Sequence, residues 1–417
     1  MNQICIGLFG NGVVGKGFRH LISATGGAVI KKIAVRYPAK HPTLQAPLLA
    51  ASKEEVILDE DVNVIVEAID DEVAAFGILQ LALQHKKPVI TANKKMVARY
   101  LPEIIRLQIE HKTPVLYEAA CCAGVPVVRL LQDYYHSATI NKLEGIINGS
   151  TNYILTAMQL FRFKFDHALQ LAQEAGFAES DASLDVEGKD GLHKLCILVR
   201  HLWSAPVAID QIVHTGIQNL LPQDLRLAEQ LQGCIKLVAV TERTGPGSIN
   251  AYLLPRLVLK QDPLFQVSQE NNGLVIEDLF KGQHFLHGKG SGGLPTATGL
   301  WNDIVASRRG YRYQYIDTGS ECLSLDYGKE IAVHLSVAAG QFLPATVSGR
   351  LHEYAADGSC RYWTGRLSLD ELRQDDWWKQ EGVSLLDISG LEAEDELELL
   401  DHLKTALALQ KDIFQPV

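Results

Sequence analysis

The sequence predicts an α/β protein: an N-terminal doubly wound parallel sheet, then an α+β domain, then a small C-terminal segment. Short apolar runs alternate with helical patterns from residue 3 to residue 117, which is typical of a parallel sheet with helices on both faces. The first run leads through closely spaced glycines straight into a helix, as a buried strand of such a sheet does. Beyond residue 126 the alternation stops, and a mixed pattern of helices and strands indicates a different domain.

The predicted strands of the sheet are short, mainly apolar runs, as expected where helices cover both faces of a parallel sheet. They span residues 3–9, 29–35, 62–68, 88–91 and 114–117, and the helices between them span residues 14–24, 72–85 and 96–112. In the second domain, one helix is predicted to end at Gly176 and another to start near Gly188.

At 417 residues the chain is too long for one ordinary hydrophobic core, so several domains are expected. We predict a first domain over residues 1–136, completed by about residues 285–317, where GKGSGGLPTATGLWND joins a glycine loop to a helix start. A second domain is predicted over residues 137–284. Residues 318–417 are predicted as a C-terminal region of strands, including residues 331–338, and an acidic helix at 392–409, with a role left open.

Composition restricts the function classes. A formal net charge of −10 argues against nucleic-acid binding, which needs a basic face. No apolar stretch approaches the roughly 18 residues of a membrane span, and the N-terminus lacks the charged segment that begins a signal peptide. The odd count of 7 cysteines fits free thiols in a reducing compartment. We therefore expect a cytoplasmic protein whose partner is a small molecule, with no nucleic acid and no membrane.

The glycine turn after the first strand, GNGVVG at residues 10–15, fits the pattern G-x-G-x-x-G. Glycine is needed there because the backbone turns sharply and approaches a pyrophosphate at a helix N-terminus. The motif alone is weak, and a tight turn without a ligand is the alternative, but its place between a strand and a helix favours a Rossmann-type dinucleotide site. The predicted cofactor-binding residues of this turn are Gly10, Asn11, Gly12, Val13, Val14 and Gly15.

Arg36 follows the second predicted strand, where an NAD enzyme usually has an acidic residue for the ribose hydroxyls. A cation there, with Lys40 close by, suits a 2′-phosphate. We therefore predict that Arg36 binds NADP(H), with NAD as the alternative cofactor. The other interpretation of Arg36 is a solvated surface charge.

The stretch GFAESDASLDVEGKDGLHKLCIL at residues 176–198 collects several carboxylates before a helix that carries Lys194. Asp190 and Lys194 are four residues apart and share a helix face, so an exposed ion pair worth roughly 0.3 kcal/mol is one interpretation. Against it, residues 195–199 are all apolar, which predicts a buried helix with Lys194 at the edge of the interior. A lysine there is costly unless it is paired or used.

Two lysines are candidates for proton transfer. Oxidation of an alcohol by hydride transfer needs a group that takes the hydroxyl proton, and Lys194 is the first candidate. Lys94, in ITANKK, directly follows a strand at the carboxyl end of the sheet, where such folds bind ligands, although an ordinary surface lysine is the alternative. Acidic side chains near this site are candidates for holding a substrate ammonium group.

Taken in order, these motifs resemble those of the homoserine dehydrogenase family. The resemblance rests on GLFGNGVVGKG, TANKK, YEAACCAGVP, INGSTNYIL, AGFAESDASLDVEGKDGLHKL and GKGSGGLPTATGLWND, and it covers about residues 3 to 305. It implies interconversion of L-homoserine and L-aspartate 4-semialdehyde with NAD(P) in threonine and methionine synthesis. It also implies a nucleotide-binding first domain, a catalytic and dimerisation second domain, and a homodimer.

The resemblance also implies site residues. Lys194 is expected to be the catalytic proton donor or acceptor, with Lys94 assisting and Asp190 orienting Lys194 or the substrate. The implied substrate-binding residues are Glu179, Asp185, Gly149 and Ser150, and the further implied cofactor-binding residues are Lys94, Gly176 and Gly292.

YEAACCAGVP resembles the monovalent-cation loop of the family, which implies a sodium site formed by Glu118 and the carbonyls of Cys121, Ala123 and Val125. The chain departs from the family in this loop, where cysteines replace the usual valine and glycine, and at Ser180, where proline is common. The start of the small regulatory domain that binds threonine in many relatives is not recognisable, so the resemblance gives no basis for inhibition by threonine.

Two other functions remain open from the sequence. In one, Cys121 or Cys122 is the nucleophile of a semialdehyde dehydrogenase that forms a thioester, although no histidine is visibly placed to activate either thiol. In the other, the chain is a catalytically inactive protein that senses nucleotides or binds a partner. Such a protein would keep the glycine turn but would not need Lys94, Asp190 and Lys194, all of which are present.

Overall fold

The computed structural model describes residues 3–44, 46–315, 323–391 and 400–406. The chain forms two compact units. The first unit comprises residues 1–139, 193–209 and 288–322, and the second comprises residues 140–192, 210–287 and 323–417. The structure thus differs from the predicted three-part division, because the region after residue 322 joins the unit that contains the middle of the chain.

The strands, in chain order, are β1 (Ile4–Phe9), β2 (Ala28–Ala34), β3 (Leu49–Ala50), β4 (Val64–Glu67), β5 (Val89–Thr91), β6 (Val115–Leu116), β7 (Ile140–Ile146), β8 (Val213–His214), β9 (Gly233–Gly245), β10 (Ser248–Leu259), β11 (Asn271–Asp278), β12 (Gly282–Lys289), β13 (Ser324–Leu325), β14 (Glu330–Ala338), β15 (His352–Ala356), β16 (Cys360–Ser368) and β17 (Val383–Asp387).

The helices, in chain order, are α1 (Val13–Thr25), α2 (Lys53–Ile57), α3 (Glu72–Gln84), α4 (Lys94–His111), α5 (Val128–Asp133), α6 (Gly149–Phe161), α7 (Phe165–Glu174), α8 (Ser183–Val186), α9 (Lys189–Trp203), α10 (Pro222–Gln230), α11 (Gly293–Arg308), α12 (Ala345–Ser348) and α13 (Leu369–Gln374). Residues 400–406 are also helical.

The first unit contains the predicted doubly wound sheet. Its strands run parallel in the order β3-β2-β1-β4-β5-β6. The strand order reverses between β1 and β4, and in such sheets ligands bind outside the carboxyl ends of the strands at this reversal. The strand β1 is almost wholly buried, as the apolar run predicted. The N-terminal part of the predicted fold is therefore confirmed.

The second unit is built on a mixed sheet in the order β12-β11-β7-β9-β10-β17-β14-β16-β15, with β8 and β13 also paired to β10. The long antiparallel pair of β9 and β10 lies near its centre. One hydrophobic core contains side chains from both parts of this sheet, among them Ile146 and Val240 from the middle of the chain and Leu335 and Leu385 from its C-terminal part. This shared core is the physical reason that the C-terminal strands belong to the second unit.

The C-terminal strands follow the sequence β14-α12-β15-β16-α13-β17 and the spatial order β17-β14-β16-β15. This is the βαββαβ arrangement of a split βαβ fold. The predicted strand at 331–338 lies within β14. Of the predicted helix at 392–409, residues 400–406 are helical and the remainder lies outside the described residues.

Two further predictions concern the second domain. The helix α7 is followed by Gly176 with φ +75°, so this glycine ends the helix in the left-handed conformation that favours glycine. The helix α9 begins directly after Gly188. In the part of the chain that the structure describes, the cysteines are free thiols, and no helix is long and apolar enough to cross a lipid bilayer.

Candidate active site

The glycine turn between β1 and α1 has the shape that a dinucleotide site requires. Gly10 has φ +95°, and a Cβ atom at this position would lie 2.3 Å from the carbonyl oxygen of Ala68. A Cβ atom on Gly15 would lie 2.3 Å from the carbonyl oxygen of Gly10. A Cβ atom on Gly12, in contrast, would meet nothing within 4 Å. Two glycines are therefore required by packing, whereas the third leaves open space in front of the N-terminus of α1.

That helix N-terminus is suited to an anion. The helix α1 begins at Val13, has Gly12 as its N-cap without a side-chain hydrogen bond, and has no acidic residue in its first turn. Its first backbone N–H groups are therefore available to a pyrophosphate, which the helix dipole also favours. The residues present thus fit the diphosphate of a nicotinamide dinucleotide.

A second helix start packs against this turn within the same unit. The helix α11 follows Gly292, whose φ is +105°. A Cβ atom on Gly17 would lie 2.5 Å from the carbonyl oxygen of Gly293, and a Cβ atom on Gly293 would lie 2.8 Å from that of Val13. These close approaches explain why the segment around residues 288–322 completes the first unit.

A basic cluster follows β2. Arg36 and Lys40 are exposed and lie 5.6 and 5.0 Å from the ring of Tyr37, which stands between them in the sequence. Within the described part of the chain, neither pairs with a carboxylate. The side chain of Asn11, in the glycine turn, is buried and contacts Arg19 at 3.1 Å and His41 at 3.3 Å. The cluster carries positive charge at the strand end where the adenosine ribose binds in this type of sheet.

A buried carboxyl group links the ends of β4 and β5. Glu67 is fully buried and accepts hydrogen bonds from the Thr91 hydroxyl at 2.5 Å and from the backbone N–H of Ile69 at 2.7 Å. The Thr91 hydroxyl in turn accepts from the N–H of Asn93 at 2.9 Å. Burial raises the pKa of Glu67 to about 7, although these hydrogen bonds act in the opposite direction.

Lys94 is placed by this network. Asn93 is the N-cap of α4, and its side chain accepts a hydrogen bond from the N–H of Met96 at 2.9 Å. Its amide nitrogen donates to the carbonyl of Ile69 at 3.1 Å. Lys94 is therefore the first residue of α4 and is half-buried at the carboxyl end of β5, where the sequence predicted it.

Two acidic residues of the second unit accept hydrogen bonds from the same side-chain amide. The side-chain nitrogen of Asn148 donates to Asp185 at 2.7 Å and to Asp190 at 2.7 Å. Asn148 follows β7 and is the N-cap of α6, and its oxygen accepts from the N–H of Thr151 at 2.7 Å. Asp190 is 4% exposed and Asn148 is 4% exposed. The structure thus brings together two of the predicted site residues through a third residue that the sequence analysis did not select.

Lys194 lies on α9, four residues after Asp190, and is only 7% exposed. Residues 195–199 are buried, as predicted for this helix. The interpretation of Asp190 and Lys194 as an exposed ion pair is therefore wrong. Lys194, Lys94 and the glycine turn all belong to the first unit.

The remaining predicted substrate residues differ in their placement. Gly149 is the first residue of α6, and the hydroxyl of Ser150 donates to the carbonyl of Phe177 at 2.6 Å. This hydrogen bond ties α6 to the segment after Gly176. Glu179 lies in the same segment, and its side chain is exposed. The described contacts do not join Glu179 to Asp185 or Asp190.

Glu118, the predicted cation ligand, acts as a helix cap. Its carboxylate is 2% exposed and accepts hydrogen bonds from the backbone N–H groups of Val127, Val128 and Arg129 at 2.7, 2.8 and 2.7 Å. The guanidinium of Arg129 lies 3.6 Å away. Burial raises the pKa of Glu118 and these N–H groups oppose the shift. These three N–H donors use three of the roughly four lone-pair sites of the carboxylate, which leaves one for a further contact.

The loop after Glu118 is tightly curled. Cys122 and Ala123 have φ values of +54° and +45°, which L residues seldom adopt. Cys121, Ala123 and Val125, whose carbonyls are the predicted ligands, are all buried residues. Among the described residues, no group of three or more His, Cys, Asp or Glu side chains is arranged to hold a metal ion. Cys121 and Cys122 are each 0% exposed, which disfavours either thiol as a nucleophile.

Sequence analysis missed Glu67 and Asn148. Glu67 is a charged residue at the end of an otherwise apolar strand, and this position was its available signal. Asn148 directly precedes a helix, and asparagine is a preferred N-cap residue. Neither signal indicates which distant side chains the residue contacts, and those contacts are what make the two residues notable.

Comparisons with known proteins match the chain in two consecutive segments. Family models described as "Homoserine dehydrogenase, NAD binding domain" and "Homoserine dehydrogenase" match residues 10–118 and 126–305. The homoserine dehydrogenase of Bacillus subtilis is 32% identical over 366 residues, which cover 85% of this chain and 84% of that protein.

Solved structures are similar over nearly the whole chain. A homoserine dehydrogenase from Thiobacillus denitrificans has a TM-score of 0.79 at 24% identity, covering 94% of this chain and 99% of that one. The S. aureus homoserine dehydrogenase has a TM-score of 0.70 at 25% identity, covering 94% of this chain and 100% of that one. The similarity in fold therefore extends beyond the segments that the family models match.

Proposed function

The chain belongs to the homoserine dehydrogenase family, which interconverts L-homoserine and L-aspartate 4-semialdehyde with a nicotinamide dinucleotide, and we propose that Lys194 moves the hydroxyl proton in this reaction. The alternative of an inactive nucleotide-sensing or partner-binding protein has no support. The observation that supports the proposal most directly is the burial of Lys194, whose residue is only 7% exposed. Lys194 lies on α9, and Asp190 lies in the first turn of the same helix. A buried ammonium group is costly unless the protein uses or pairs it.

The proposed proton transfer balances the hydride transfer. In the oxidation, the amine of Lys194 takes the hydroxyl proton, and a bound nicotinamide would supply the hydride acceptor. In the reduction, the ammonium group of Lys194 returns the proton to the carbonyl oxygen. General acid or base catalysis of this kind contributes about 10² to 10⁴ in rate. Asp190 orients Lys194 or the substrate, and Lys94 assists at the cofactor and the hydroxyl.

The cofactor proposal places the pyrophosphate at the turn of Gly10, Asn11, Gly12, Val13, Val14 and Gly15, and the nicotinamide end near Gly176 and Gly292. The nicotinamide ring supplies the hydride acceptor or donor when bound. Support comes from the open space at Gly12 and the uncapped N-terminus of α1. We propose NADP(H) rather than NAD(H), because Arg36 and Lys40 place two exposed cations after β2.

For the substrate, we propose that Asp185 binds the ammonium group together with Glu179 and that the N-terminus of α6, at Gly149 and Ser150, binds the carboxylate. The half-buried carboxylate of Asp185, held in place by the Asn148 amide, supports the assignment of Asp185. A helix N-terminus favours an anion, which supports the second. The support for Glu179 is its match to the family pattern.

For the predicted sodium site, we propose that Glu118 and the carbonyls of Cys121, Ala123 and Val125 are the ligands. Three backbone N–H groups hold the Glu118 carboxylate in place and leave about one of its lone-pair sites for a cation. We also propose a cytoplasmic homodimer formed through the predicted second domain, residues 137–284, on the basis of the family. Size-exclusion chromatography with light scattering tests the oligomeric state.

The experiment for the proposed proton transfer compares Lys194→Ala with Lys189→Ala. Lys189 is also on α9 but is exposed and pairs with Glu187 in solvent, so it is the matched control. We expect Lys194→Ala to lower kcat by about 10² to 10⁴ in the reduction of aspartate semialdehyde, with the Kd for NADPH kept within about twofold. Lys189→Ala should keep kcat within about twofold. Near-normal kcat in Lys194→Ala would show that another group moves the proton.

A further inference from the structure

We propose that Asn148 is a positioning residue that holds the carboxylates of Asp185 and Asp190 in fixed places, so that the substrate ammonium group meets Asp185 already oriented. The inference rests on the proposed function of these acids, and it concerns a residue to which neither the family resemblance nor the motif analysis assigned a role. The observations behind it are the four hydrogen bonds of the Asn148 side-chain amide and the helices that these bonds connect.

The side chain of Asn148 is saturated with hydrogen bonds. Its nitrogen has two protons, of which Asp185 and Asp190 receive one each at 2.7 Å. Its oxygen has two lone pairs, which accept from the N–H of Thr151 at 2.7 Å and from the Thr151 hydroxyl at 2.9 Å. The amide therefore has one orientation only, because the reverse would face its oxygen towards two carboxylates.

The three side chains come from separate elements. Asn148 caps α6, Asp185 lies in the short helix α8, and Asp190 lies in the first turn of α9. The junction between α8 and α9 is itself held, since the N–H of Ile217 donates to the carbonyl of Val186 at 2.7 Å. Asn148 is thus the group that connects this acidic segment to the N-terminus of α6.

Without that amide, electrostatic repulsion would drive the two carboxylates apart. Both place an oxygen 2.7 Å from the same nitrogen atom, and like charges at such short range repel each other. The neutral amide offsets this repulsion by donating to both acids while adding no charge of its own. A substrate ammonium group then meets Asp185 in a fixed position, so less conformational freedom is lost on binding.

Two variants separate this role from helix capping. Asn148→Ser and Asn148→Asp both keep an oxygen that caps α6, since serine and aspartate are as good N-cap residues as asparagine. Serine is too short to reach the two acids, and aspartate has the shape of asparagine but replaces the donor with an acceptor. If Asn148 were only a cap, Asn148→Ser would behave as wild type.

We expect both variants to raise the KM for L-homoserine by about 10-fold or more, as loss of hydrogen bonds to charged groups does, and to keep the Kd for NADPH within about twofold. Thermal unfolding should shift by no more than about 3 °C for Asn148→Ser. Wild-type KM in either variant overturns the proposal. Loss of the fold in both also overturns it, because Asn148 would then be a structural residue.

The closing measurement keeps this proposal separate from the role of Lys194. Calorimetric titration of L-homoserine into NADP⁺-saturated protein is made in the Lys194→Ala background, with and without Asn148→Ser. We expect Asn148→Ser to weaken homoserine binding by about 10-fold in that background. Equal affinities refute the role of Asn148 and leave Lys194 untouched, whereas normal turnover of Lys194→Ala refutes only the proton-transfer assignment.

Discussion

The hydroxyl of Thr91 donates a hydrogen bond to the buried carboxyl group of Glu67 at 2.5 Å and so joins the carboxyl ends of β5 and β4. This contact lies beside the point where the strand order of the parallel sheet reverses. Burial is the largest influence on Glu67 and raises its pKa to about 7, and the hydrogen bonds from Thr91 and Ile69 only partly oppose it. Glu67 is therefore a titrating group at neutral pH within the part of the sheet that positions Lys94.

The first prediction concerns the pH dependence of stability. The pKa of Glu67 is raised in the folded state, so folding disfavours its ionised form, and stability falls as the pH rises from the unfolded value of about 4.5 to about 7. Glu67→Gln removes this titration. Between pH 5 and pH 8 we expect the free energy of unfolding of the wild type to fall by about 2 kcal/mol relative to that of Glu67→Gln, in urea titrations.

Glu103→Gln provides the control for this prediction, because Glu103 is an exposed glutamate on α4 of the same unit. The difference in the free energy of unfolding between Glu103→Gln and the wild type should stay nearly constant over the same pH range. A constant difference for Glu67→Gln as well would mean that Glu67 does not titrate near neutral pH in the folded protein.

The second prediction distinguishes two kinds of glycine in the turn after β1. Gly15→Ala places a Cβ atom 2.3 Å from the carbonyl oxygen of Gly10, so we expect a loss of about 1 to 3 kcal/mol in the free energy of unfolding. Gly12→Ala meets no atom within 4 Å and should leave the stability nearly unchanged. Its methyl group would occupy the space proposed for the pyrophosphate, so the Kd for NADPH should rise by about 10-fold or more.

Thermal unfolding and fluorescence titration with NADPH measure these two effects separately. If Gly12→Ala bound NADPH as tightly as the wild type, the proposed position of the pyrophosphate at the N-terminus of α1 would be wrong.

The parallel sheet could be predicted because its information is local. The strands β1 and β4 are short, largely apolar runs, and the turn at Gly10 and Gly15 needs glycine for reasons visible within six residues. The burial of α9 could also be predicted, since residues 195–199 are apolar without interruption. In both cases the pattern and its physical cause lie in the same segment of the chain.

What the sequence did not predict depends on contacts between distant segments. The bond from Asn148 to Asp190 joins residues 42 positions apart, and the bond from Thr91 to Glu67 joins residues 24 apart. The pairing of β14 with β17 and of β17 with β10 unites the C-terminal region with the second unit in the same way. A single sequence contains no periodicity that reports such pairs, so these features required the structure.

The third prediction tests the choice between NADP and NAD. Arg36 is exposed after β2, and loss of a charged hydrogen bond to a 2′-phosphate costs about 10-fold or more in affinity. We expect Arg36→Ala to raise the KM for NADPH by that factor and to leave the KM for NADH within about twofold. Arg106→Ala, at an exposed arginine that pairs with Glu110 on α4, should change neither. An unchanged ratio of the two KM values in Arg36→Ala would discard the assignment to the phosphate.

The fourth prediction concerns the connection between the C-terminal strands and β10. The guanidinium of Arg256 contacts Glu144 at 2.5 Å and lies 3.9 Å from Asp387, which faces it across the pairing of β10 with β17. The side chains of Arg256 and Asp387 are 8% and 1% exposed. Removing the arginine leaves two buried carboxylates with less compensation, so Arg256→Ala should lower the free energy of unfolding by about 3 to 5 kcal/mol.

The control is Arg361→Ala, which breaks the exposed pair of Arg361 with Glu353 on β16 and β15 and should cost at most about 1 kcal/mol. Urea titration measures both losses, and hydrogen exchange of residues 330–387 should accelerate in Arg256→Ala because β17 loses its charged connection to β10. If Arg256→Ala cost no more than Arg361→Ala, the buried ion pair would not be what holds these strands on the sheet, and the shared hydrophobic core around Leu335 and Leu385 would have to do so alone.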